Sequence, residues 1–175
     1  MLKKDLEILE AAIKLEEDGR VFYLKASRQA KNIPAKRLLA SLADEELKHI
    51  ERISEIHEGL RAQKDWSDFK KPISRQAKAS MKLIFKSLSK SEGRHLKADP
   101  SNLEAIKLAM KKEKLSFNFY DEQAKATRVA IAKIFYNRLK AEEEIHYDLL
   151  EEAYSFLSDT AGWFVKEEGR VMEGG

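Results

Sequence analysis

The sequence of 175 residues contains no cysteine. Disulfide bonds, thiolate catalysis and metal sites built on cysteine are therefore excluded within this chain. Glycine and proline are also scarce, with seven and three residues, so few positions favour turns or interrupt helices. No apolar run reaches the length of about 18 residues that a membrane span requires, and the charged start MLKKDLEILE is unlike a signal peptide. We therefore expect a cytoplasmic protein with no membrane partner.

Charge of both signs is abundant and is spread along the whole chain. Lysine and arginine number 33 against 30 aspartates and glutamates, for a formal net charge of +3. Such a mixed surface gives no reason to predict a nucleic-acid partner. Hydrophobic residues make up 43% of the chain, which is enough for a folded core, and the length fits one domain.

Apolar residues recur at steps of three and four along most of the sequence, which predicts amphipathic helices. The break NIPAK separates the first two helices, because Pro34 fits the first turn of a new helix. Ser101, with Glu104 three residues later, predicts the N-cap and capping box of the third helix. The predicted long helices cover about residues 3–31 and 35–60 in the first half, then 101–126 and 130–157 in the second.

The segment between the two helix pairs, residues 61–100, is a long crossover. It begins as a polar, irregular stretch and then contains SRQAKASMKLIFKSLSK, which predicts a short amphipathic helix. The apolar side chains of that helix are interpreted as packing residues, namely Met81, Ile84, Phe85 and Leu88. The predicted domain is a bundle over residues 1–160, followed by a glycine-rich tail over 161–175.

The two helix pairs are copies of each other at a gapless offset of 97 residues. This offset aligns Glu16 with Glu113, Tyr23 with Tyr120, Glu46 with Glu143 and His49 with His146. Two copies of a helix hairpin joined by a crossover can bury their four apolar faces in a pseudo-two-fold bundle.

Each copy carries a lone glutamate on one helix and a Glu-x-x-His motif on the next, all on the apolar faces. Residues three apart on a helix lie side by side, so four carboxylates and two imidazoles should converge inside the bundle. Burying such charges without partners is costly, whereas two divalent metal ions neutralise four carboxylates. The predicted metal ligands are Glu16, Glu46, His49, Glu113, Glu143 and His146. Carboxylate and imidazole ligands suit two iron ions, and manganese or zinc is also accommodated.

The repeat symmetry assigns Glu46 and Glu143 as bridges between the two ions, with one further glutamate and one histidine completing each site. Tyr23 and Tyr120 lie seven residues after the lone glutamates. We interpret them as hydrogen-bond partners of the ligands, with plain core packing as the alternative. Further acidic residues adjoin the ligands off the apolar faces and are expected in solvent, namely Glu17, Asp44, Glu45, Glu142 and Glu144. A surface position is also expected for the two isolated histidines, His57 and His95.

At these motifs the sequence resembles the rubrerythrin branch of the ferritin-like superfamily. The resemblance rests on AIKLEEDGRVFY and AMKKEKLSFNFY in the first and third helices, on EELKH and EEEIH in the second and fourth, and on the tail GWFVKEEGRVMEGG. It covers about residues 3–170. The resemblance implies an all-α, ferritin-like antiparallel four-helix bundle, a di-iron centre that reacts with peroxide or dioxygen, and a homodimer.

Two departures from that branch bear on the implied function. Rubrerythrins proper carry a rubredoxin-like domain with four cysteines, so here electrons must come from an external donor such as a rubredoxin-like protein. They also carry another glutamate three residues after the lone one on the third helix, where this chain has Ser116, the repeat mate of Gly19. These small residues either leave room for peroxide or dioxygen or simply permit close helix packing. The remaining symmetric ligand set is closer to the ferroxidase centres of bacterioferritins.

The leading hypothesis is a non-haem di-iron redox protein that reduces hydrogen peroxide, or dioxygen, with electrons from an external carrier. The alternative is a ferroxidase that handles iron without a dedicated peroxidase cycle. Two further alternatives stay open, a bundle that metal merely stabilises and an oxygenase that acts on an organic substrate. The long crossover also permits a domain-swapped dimer, in which each hairpin pairs with that of a second chain.

Overall fold

The computed structural model describes residues 2–69 and 98–159. Four long helices and one short 3-10 helix make up these ranges, and no strand occurs within them. The helices are α1 (Leu2–Gln29), α2 (Ile33–Arg61), α3 (Pro100–Ala126) and α4 (Ala130–Ser158), with the 3-10 helix at Trp66–Phe69. The predicted all-α, ferritin-like four-helix fold is confirmed. The predicted crossover helix, the tail and His95 lie outside the described residues.

The start of α2 follows from its local sequence. The side chain of Asn32 accepts a hydrogen bond from the backbone N–H of Ala35 at 2.8 Å, and Pro34 lies in the first turn. Asparagine is among the preferred N-cap residues, and proline fits the first turn because the N–H it lacks has no partner there. The helix therefore begins two residues earlier than predicted, at Ile33.

The start of α3 corrects the sequence prediction. Asp99 is the N-cap and Pro100 is the first helical residue, so Ser101 already lies inside the first turn. A side-chain oxygen of Asp99 accepts a hydrogen bond from the backbone N–H of Ser101 at 2.9 Å. The predicted capping box between Ser101 and Glu104 is therefore wrong, because the carboxylate of Asp99 satisfies the free amides of this turn.

The core is divided into two apolar clusters with a polar layer between them. The first apolar cluster includes Tyr23, Leu39, Ile106 and Leu150, one from each long helix. The second apolar cluster includes Leu9, Ile53, Tyr120 and Leu139, again one from each. Along every helix, the buried glutamates and histidines lie between the residues of the two clusters. Burying one large apolar side chain contributes about 1.5–3 kcal/mol, so the two clusters stabilise the polar layer that they enclose.

The order in which each helix meets the two clusters gives its direction. α1 and α4 run from the second cluster to the first, whereas α2 and α3 run the opposite way. α1 packs along α2 and α3 packs along α4, so both predicted hairpins form, and α1–α3 and α2–α4 contacts join them within one chain. The predicted homodimer, swapped or not, stays a prediction.

The beginning of the crossover covers the second apolar cluster. Trp66 and Phe69 are buried there, with exposed fractions of 5% and 9%. The ring of Phe69 packs directly over Gly59 of α2, where an added Cβ would overlap the ring. Glycine is thus required at this position by a close approach. Among the described residues, we find no helix with the combination of length and apolarity that crossing a membrane requires.

Candidate metal centre

The polar layer contains all six residues that the sequence predicts as metal ligands. Each of these side chains belongs to a residue that is exposed by 3% or less. The spacing of three places both members of each Glu-x-x-His motif on the buried face of its helix. The lone glutamates of α1 and α3 meet the motifs of α2 and α4 in this layer: Glu16, Glu46, His49, Glu113, Glu143 and His146.

Donor atoms of these residues form two overlapping groups, each within 4.8 Å. The first group is Glu16, Glu46, His49 and Glu143, and the second is Glu46, Glu113, Glu143 and His146. Glu46 and Glu143 belong to both groups, as a pair of bridging carboxylates must. Each group adds one glutamate and one histidine of its own. The structure therefore brings together every predicted ligand in the predicted symmetry, while their binding of metal stays a prediction.

The two nitrogens of His49 face different surroundings. Nδ1 lies 3.3 Å from Oε2 of Glu16 and 3.3 Å from Oε1 of Glu143, so it points into the cluster. Nε2 points away and donates a hydrogen bond to Oε2 of Glu142 at 2.7 Å. The expectation that Glu142 lies in solvent is therefore wrong, because its carboxylate leans inward and has an exposed side-chain fraction of 16%.

His146 presents the same ring atom to the cluster but has fewer partners. Its Nδ1 lies 3.4 Å from Oε2 of Glu113 and 3.8 Å from Oε2 of Glu143. Within the part of the chain that the structure describes, neither ring nitrogen has a hydrogen-bond partner, and the same holds for Oε2 of Glu113 and both carboxylate oxygens of Glu143. Buried polar atoms without partners are costly. Oxygen and imidazole donors that converge in this way fit a pair of divalent metal ions.

Two tyrosines connect the lone glutamates across the repeat. The hydroxyl of Tyr23 donates a hydrogen bond to Glu113, and the hydroxyl of Tyr120 donates one to Glu16. Burial, reinforced by the charge of the glutamate, raises the pKa of both phenols well above the usual value of 10.0. The tyrosines therefore stay protonated and act as fixed donors, each holding the glutamate of the other repeat.

Without metal, the shared glutamates differ from the lone ones in protonation. Burial, together with the nearby charge of Glu16, raises the pKa of Glu46 and Glu143 well above 4.5. Burial also acts to raise the pKa of Glu16, but hydrogen bonds with Glu46 and His49 outweigh it and lower that pKa to about 2. Burial likewise opposes ionisation of Glu113, yet the neighbouring His146 holds its pKa below the usual value. The metal-free cluster thus keeps protons on its shared carboxyls.

His49 is held in its charged form by the carboxylates around it. Burial favours the neutral imidazole, but the hydrogen bond with Glu142 and the adjacent carboxylates of Glu143 and Glu16 raise its pKa well above 6.5. A metal ion at Nδ1 would replace the proton there and leave Nε2 bonded to Glu142. This carboxylate–histidine arrangement orients the ring and raises its basicity as a ligand.

A small cavity of about 30 Å³ lies between α1 and α3 beside the cluster. Glu46 and Glu113 line it, together with Gly19 and Ser116 one turn from the lone glutamates. A Cβ added at Gly19 would lie 3.6 Å from Cδ of Glu46, in ordinary contact. The small residues at these repeat-related positions therefore leave a space of about one water molecule next to the carboxylates.

A larger cavity of about 290 Å³ lies between α3 and α4 and reaches the cluster from another side. Glu113 and Glu143 line it, with Glu144, Asp148 and Lys114 also in its lining. Two acidic side chains thus accompany one basic side chain on a passage to the buried carboxylates.

Three residues near the centre differ from their predicted surroundings. His57 is 8% exposed, and its Nε2 lies 3.1 Å from Oε1 of Glu10, so the predicted surface position is wrong. The sequence prediction missed the contact of Glu142 with the cluster. The repeat could have indicated it, because Glu45 and Glu142 both precede a shared glutamate by one position. Three other acidic residues are exposed as expected, namely Glu17, Asp44 and Glu144. The same expectation is wrong for Glu45, whose side chain is 15% exposed and pairs with Lys48.

Comparison with known protein families gives one match. The family model described as Rubrerythrin matches residues 7–154, a span that contains both helix hairpins. Neither the curated proteins nor the solved structures include a significant match to the chain. The buried carboxylate–histidine cluster fits the di-iron site that is typical of this family. By this match over most of its length, the chain belongs to the rubrerythrin family.

Proposed function

We propose that this chain is a di-iron redox protein that reduces hydrogen peroxide, or dioxygen, with electrons from a separate carrier. The observation that carries the proposal is the pair of overlapping donor groups that share Glu46 and Glu143. Two ferrous ions held there would supply two electrons, one from each ion, which is the number needed to reduce hydrogen peroxide, together with two protons, to two water molecules.

The chain's own residues supply binding and orientation for this chemistry. Glu46 and Glu143 would bridge the two ions, and their burial excludes bulk water from the shared position. Glu16 and Glu113 would each bind one ion through a carboxylate whose other oxygen is held by a tyrosine hydroxyl. Because the tyrosine hydroxyls hold these two carboxylates in place, the residues that would bind the ions keep fixed positions.

The size of the space beside the cluster supports a small oxidant. The cavity of about 30 Å³ that Gly19 and Ser116 line has room for about one water-sized molecule, and peroxide and dioxygen are the oxidants nearest to that size. An organic substrate needs a pocket of several hundred Å³ lined mainly by apolar side chains. The larger cavity between α3 and α4 is lined by charged and aromatic side chains together, namely Lys114, Phe117, Glu144, Tyr147 and Asp148. The small cavity favours peroxide or dioxygen as the oxidant.

The electrons are proposed to come from an external carrier. The chain has no cysteine that could bind a second iron centre of the rubredoxin type. A rubredoxin-like protein is therefore the proposed donor class. The homodimer and the cytoplasmic location belong to the same proposal.

The test is anaerobic loading with ferrous iron, followed by separate titrations with peroxide and dioxygen. Two irons per chain, oxidised faster by peroxide than by dioxygen as followed by near-ultraviolet absorbance, support the peroxidase activity. Faster oxidation by dioxygen favours the ferroxidase. Failure to bind iron stoichiometrically overturns the proposal. The Glu46→Ala variant, which removes a shared carboxylate, provides the matched control without the centre.

A second candidate function, iron handling as a ferroxidase, is favoured by the acidic passage between α3 and α4. Glu144 and Asp148 lie four residues apart on α4 and line the cavity that reaches Glu113 and Glu143. Carboxylates along a narrow approach raise the local concentration of cations and so speed their association. The repeat mate of Glu144 is Leu47, so the acidic pair is not reproduced on α2.

This second candidate predicts that iron reaches the centre through the passage. The double variant Glu144→Gln/Asp148→Asn should slow ferrous iron loading several-fold at low ionic strength while leaving the final stoichiometry unchanged. Glu51→Gln is the matched control, because Glu51 is the repeat mate of Asp148 on α2. Unchanged loading rates in the double variant would count against iron handling as the main role.

A further inference from the structure

The two halves of the cluster are nearly symmetric in sequence but differ in one hydrogen bond. Nε2 of His49 donates to Glu142 at 2.7 Å, whereas Nε2 of His146 is buried and has no hydrogen-bond partner among the described residues. The repeat mate of Glu142 is Glu45, the residue that symmetry would place at His146. Each histidine thus has a carboxylate at the equivalent position of the repeat, but only His49 is bonded to its own.

The two carboxylates also differ in a neighbouring residue, Lys48. Its Nζ donates to Oε1 of Glu45 at 2.7 Å, one turn along α2. The repeat mate of Lys48 is Ile145, which packs against the first apolar cluster and offers Glu142 no competing donor. Glu45 and Glu142 have almost equal exposed side-chain fractions, 15% and 16%. Their different partners therefore reflect the neighbouring residue rather than a different depth in the bundle.

We propose that Lys48 makes the two metal positions unequal, so that the position with Glu16 and His49 binds its ion first and more tightly. This inference rests on the proposed metal centre. Glu142 and Lys48 act as positioning residues: Glu142 orients the imidazole of His49 and increases its basicity, while Lys48 keeps Glu45 away from His146. Loss of a carboxylate partner behind a metal-bound histidine typically weakens metal binding by about 10- to 100-fold.

Cobalt(II) is a suitable probe, because its binding is measured by calorimetry and by visible absorbance without any redox turnover. The unmodified chain should bind two cobalt ions in two steps that differ in affinity by about 10- to 100-fold. Glu142→Gln should weaken the tighter step and leave the weaker one in place. A single step of equal affinities in the unmodified chain, or weakening of only the weaker step in Glu142→Gln, overturns the inference.

The exposed position of Lys48 allows a variant that does not disturb the core. Lys48→Ile reproduces the residue found in the other repeat, so Glu45 should become free to bond His146. We expect the weaker step to tighten by about tenfold or more while the tighter step is unchanged. Lys48→Arg, which can still pair with Glu45, should keep the two steps apart. Identical titrations for Lys48→Ile and the unmodified chain overturn the inference.

Single-site variants test whether the two binding steps differ because the two positions differ or only because the first bound ion repels the second. His146→Ala retains the position with His49, and it should bind one cobalt ion about 10- to 100-fold more tightly than His49→Ala does. Equal affinities in the two variants would mean that the two steps come from repulsion alone. If cobalt binds in two unequal steps but the iron-loaded protein reacts with neither peroxide nor dioxygen, the proposed function is overturned and this inference is supported. The two failures are therefore distinguishable.

Discussion

The hydroxyl of Tyr23 on α1 donates a hydrogen bond to the carboxylate of Glu113 on α3, 90 residues away. Its repeat mate, Tyr120, makes the reciprocal bond to Glu16. Each tyrosine is fully buried in the apolar cluster next to the polar layer. The two bonds therefore tie the lone glutamate of each repeat to the packed core of the other, which makes the geometry of the centre a joint property of both hairpins.

The first prediction concerns these hydroxyls. Tyr23→Phe keeps the ring but removes a hydrogen bond to a charged group, which should lower the free energy of unfolding by about 2 kcal/mol. Affinity for metal should fall by about 10- to 100-fold, because Glu113 is no longer held in place. Thermal unfolding and cobalt titration measure the two effects. Tyr154→Phe, at a partly buried ring that packs against the first apolar cluster away from the six predicted ligands, is the control and should change neither. An unaltered Tyr23→Phe variant would contradict the prediction.

The second prediction separates shared from unshared carboxylates. Glu46 belongs to both donor groups and Glu16 to one. Glu46→Ala should therefore abolish binding of both iron ions, whereas Glu16→Ala should retain one ion per chain. Iron is counted after anaerobic loading and removal of excess metal, with circular dichroism to verify the helices. Glu17→Ala, which alters an exposed neighbour, should keep two ions. Two ions in Glu46→Ala would show that this residue is not a bridge.

The third prediction uses the missing side chain at Gly19. Because α1 is helical at this position and an added Cβ would lie 3.6 Å from Glu46, alanine fits without strain. Gly19→Ala should raise the free energy of unfolding by about 0.5–1 kcal/mol, since glycine disfavours a helix interior. The added methyl group should also narrow the cavity of about 30 Å³ and slow oxidation of the loaded protein several-fold. Stopped-flow absorbance measures the rate; an unchanged rate would mean that the oxidant approaches elsewhere.

The fourth prediction concerns pH and metal together. The pKa values of Glu46, Glu143 and His49 are raised in the folded, metal-free protein. A raised folded pKa stabilises the protein at low pH, and this contribution is lost as pH rises through the folded value. Bound metal replaces these protons. The increase in melting temperature on adding zinc should therefore grow between about pH 5 and about pH 8.

The control for this fourth prediction is a variant that cannot ionise at one shared position. Glu46→Gln removes one of the raised groups, so its metal-free melting temperature should depend less on pH than that of the unmodified chain. Melting curves over the same pH range, with and without zinc, make the comparison. A zinc-induced increase that shrinks as pH rises would contradict the assigned direction of these pKa shifts.

Much of the fold and of the candidate centre could be predicted from local patterns in the sequence. Helix periodicity depends only on which residues lie three and four apart, so the four long helices were predicted to within a few residues. The gapless repeat then placed the predicted ligands and their tyrosine partners at the same depth in both hairpins. The N-cap of α3 is harder to predict, because Asp99 and Ser101 are both preferred N-cap residues. Only the position of the first helical turn in the structure identifies Asp99 as the N-cap.

What the sequence determined by itself is therefore the set of buried donors and their symmetry, because a helix sorts its residues by spacing alone. Only the tertiary structure decided which of the two carboxylates, Glu45 or Glu142, is hydrogen-bonded to a histidine of the cluster. Glu45 and Glu142 are equivalent in the repeat, yet one bonds Lys48 on its own helix and the other bonds His49 on a different one. The pair on α2 follows from a spacing of three within one helix, whereas the distance between Glu142 and His49 exists only after the two hairpins have packed together.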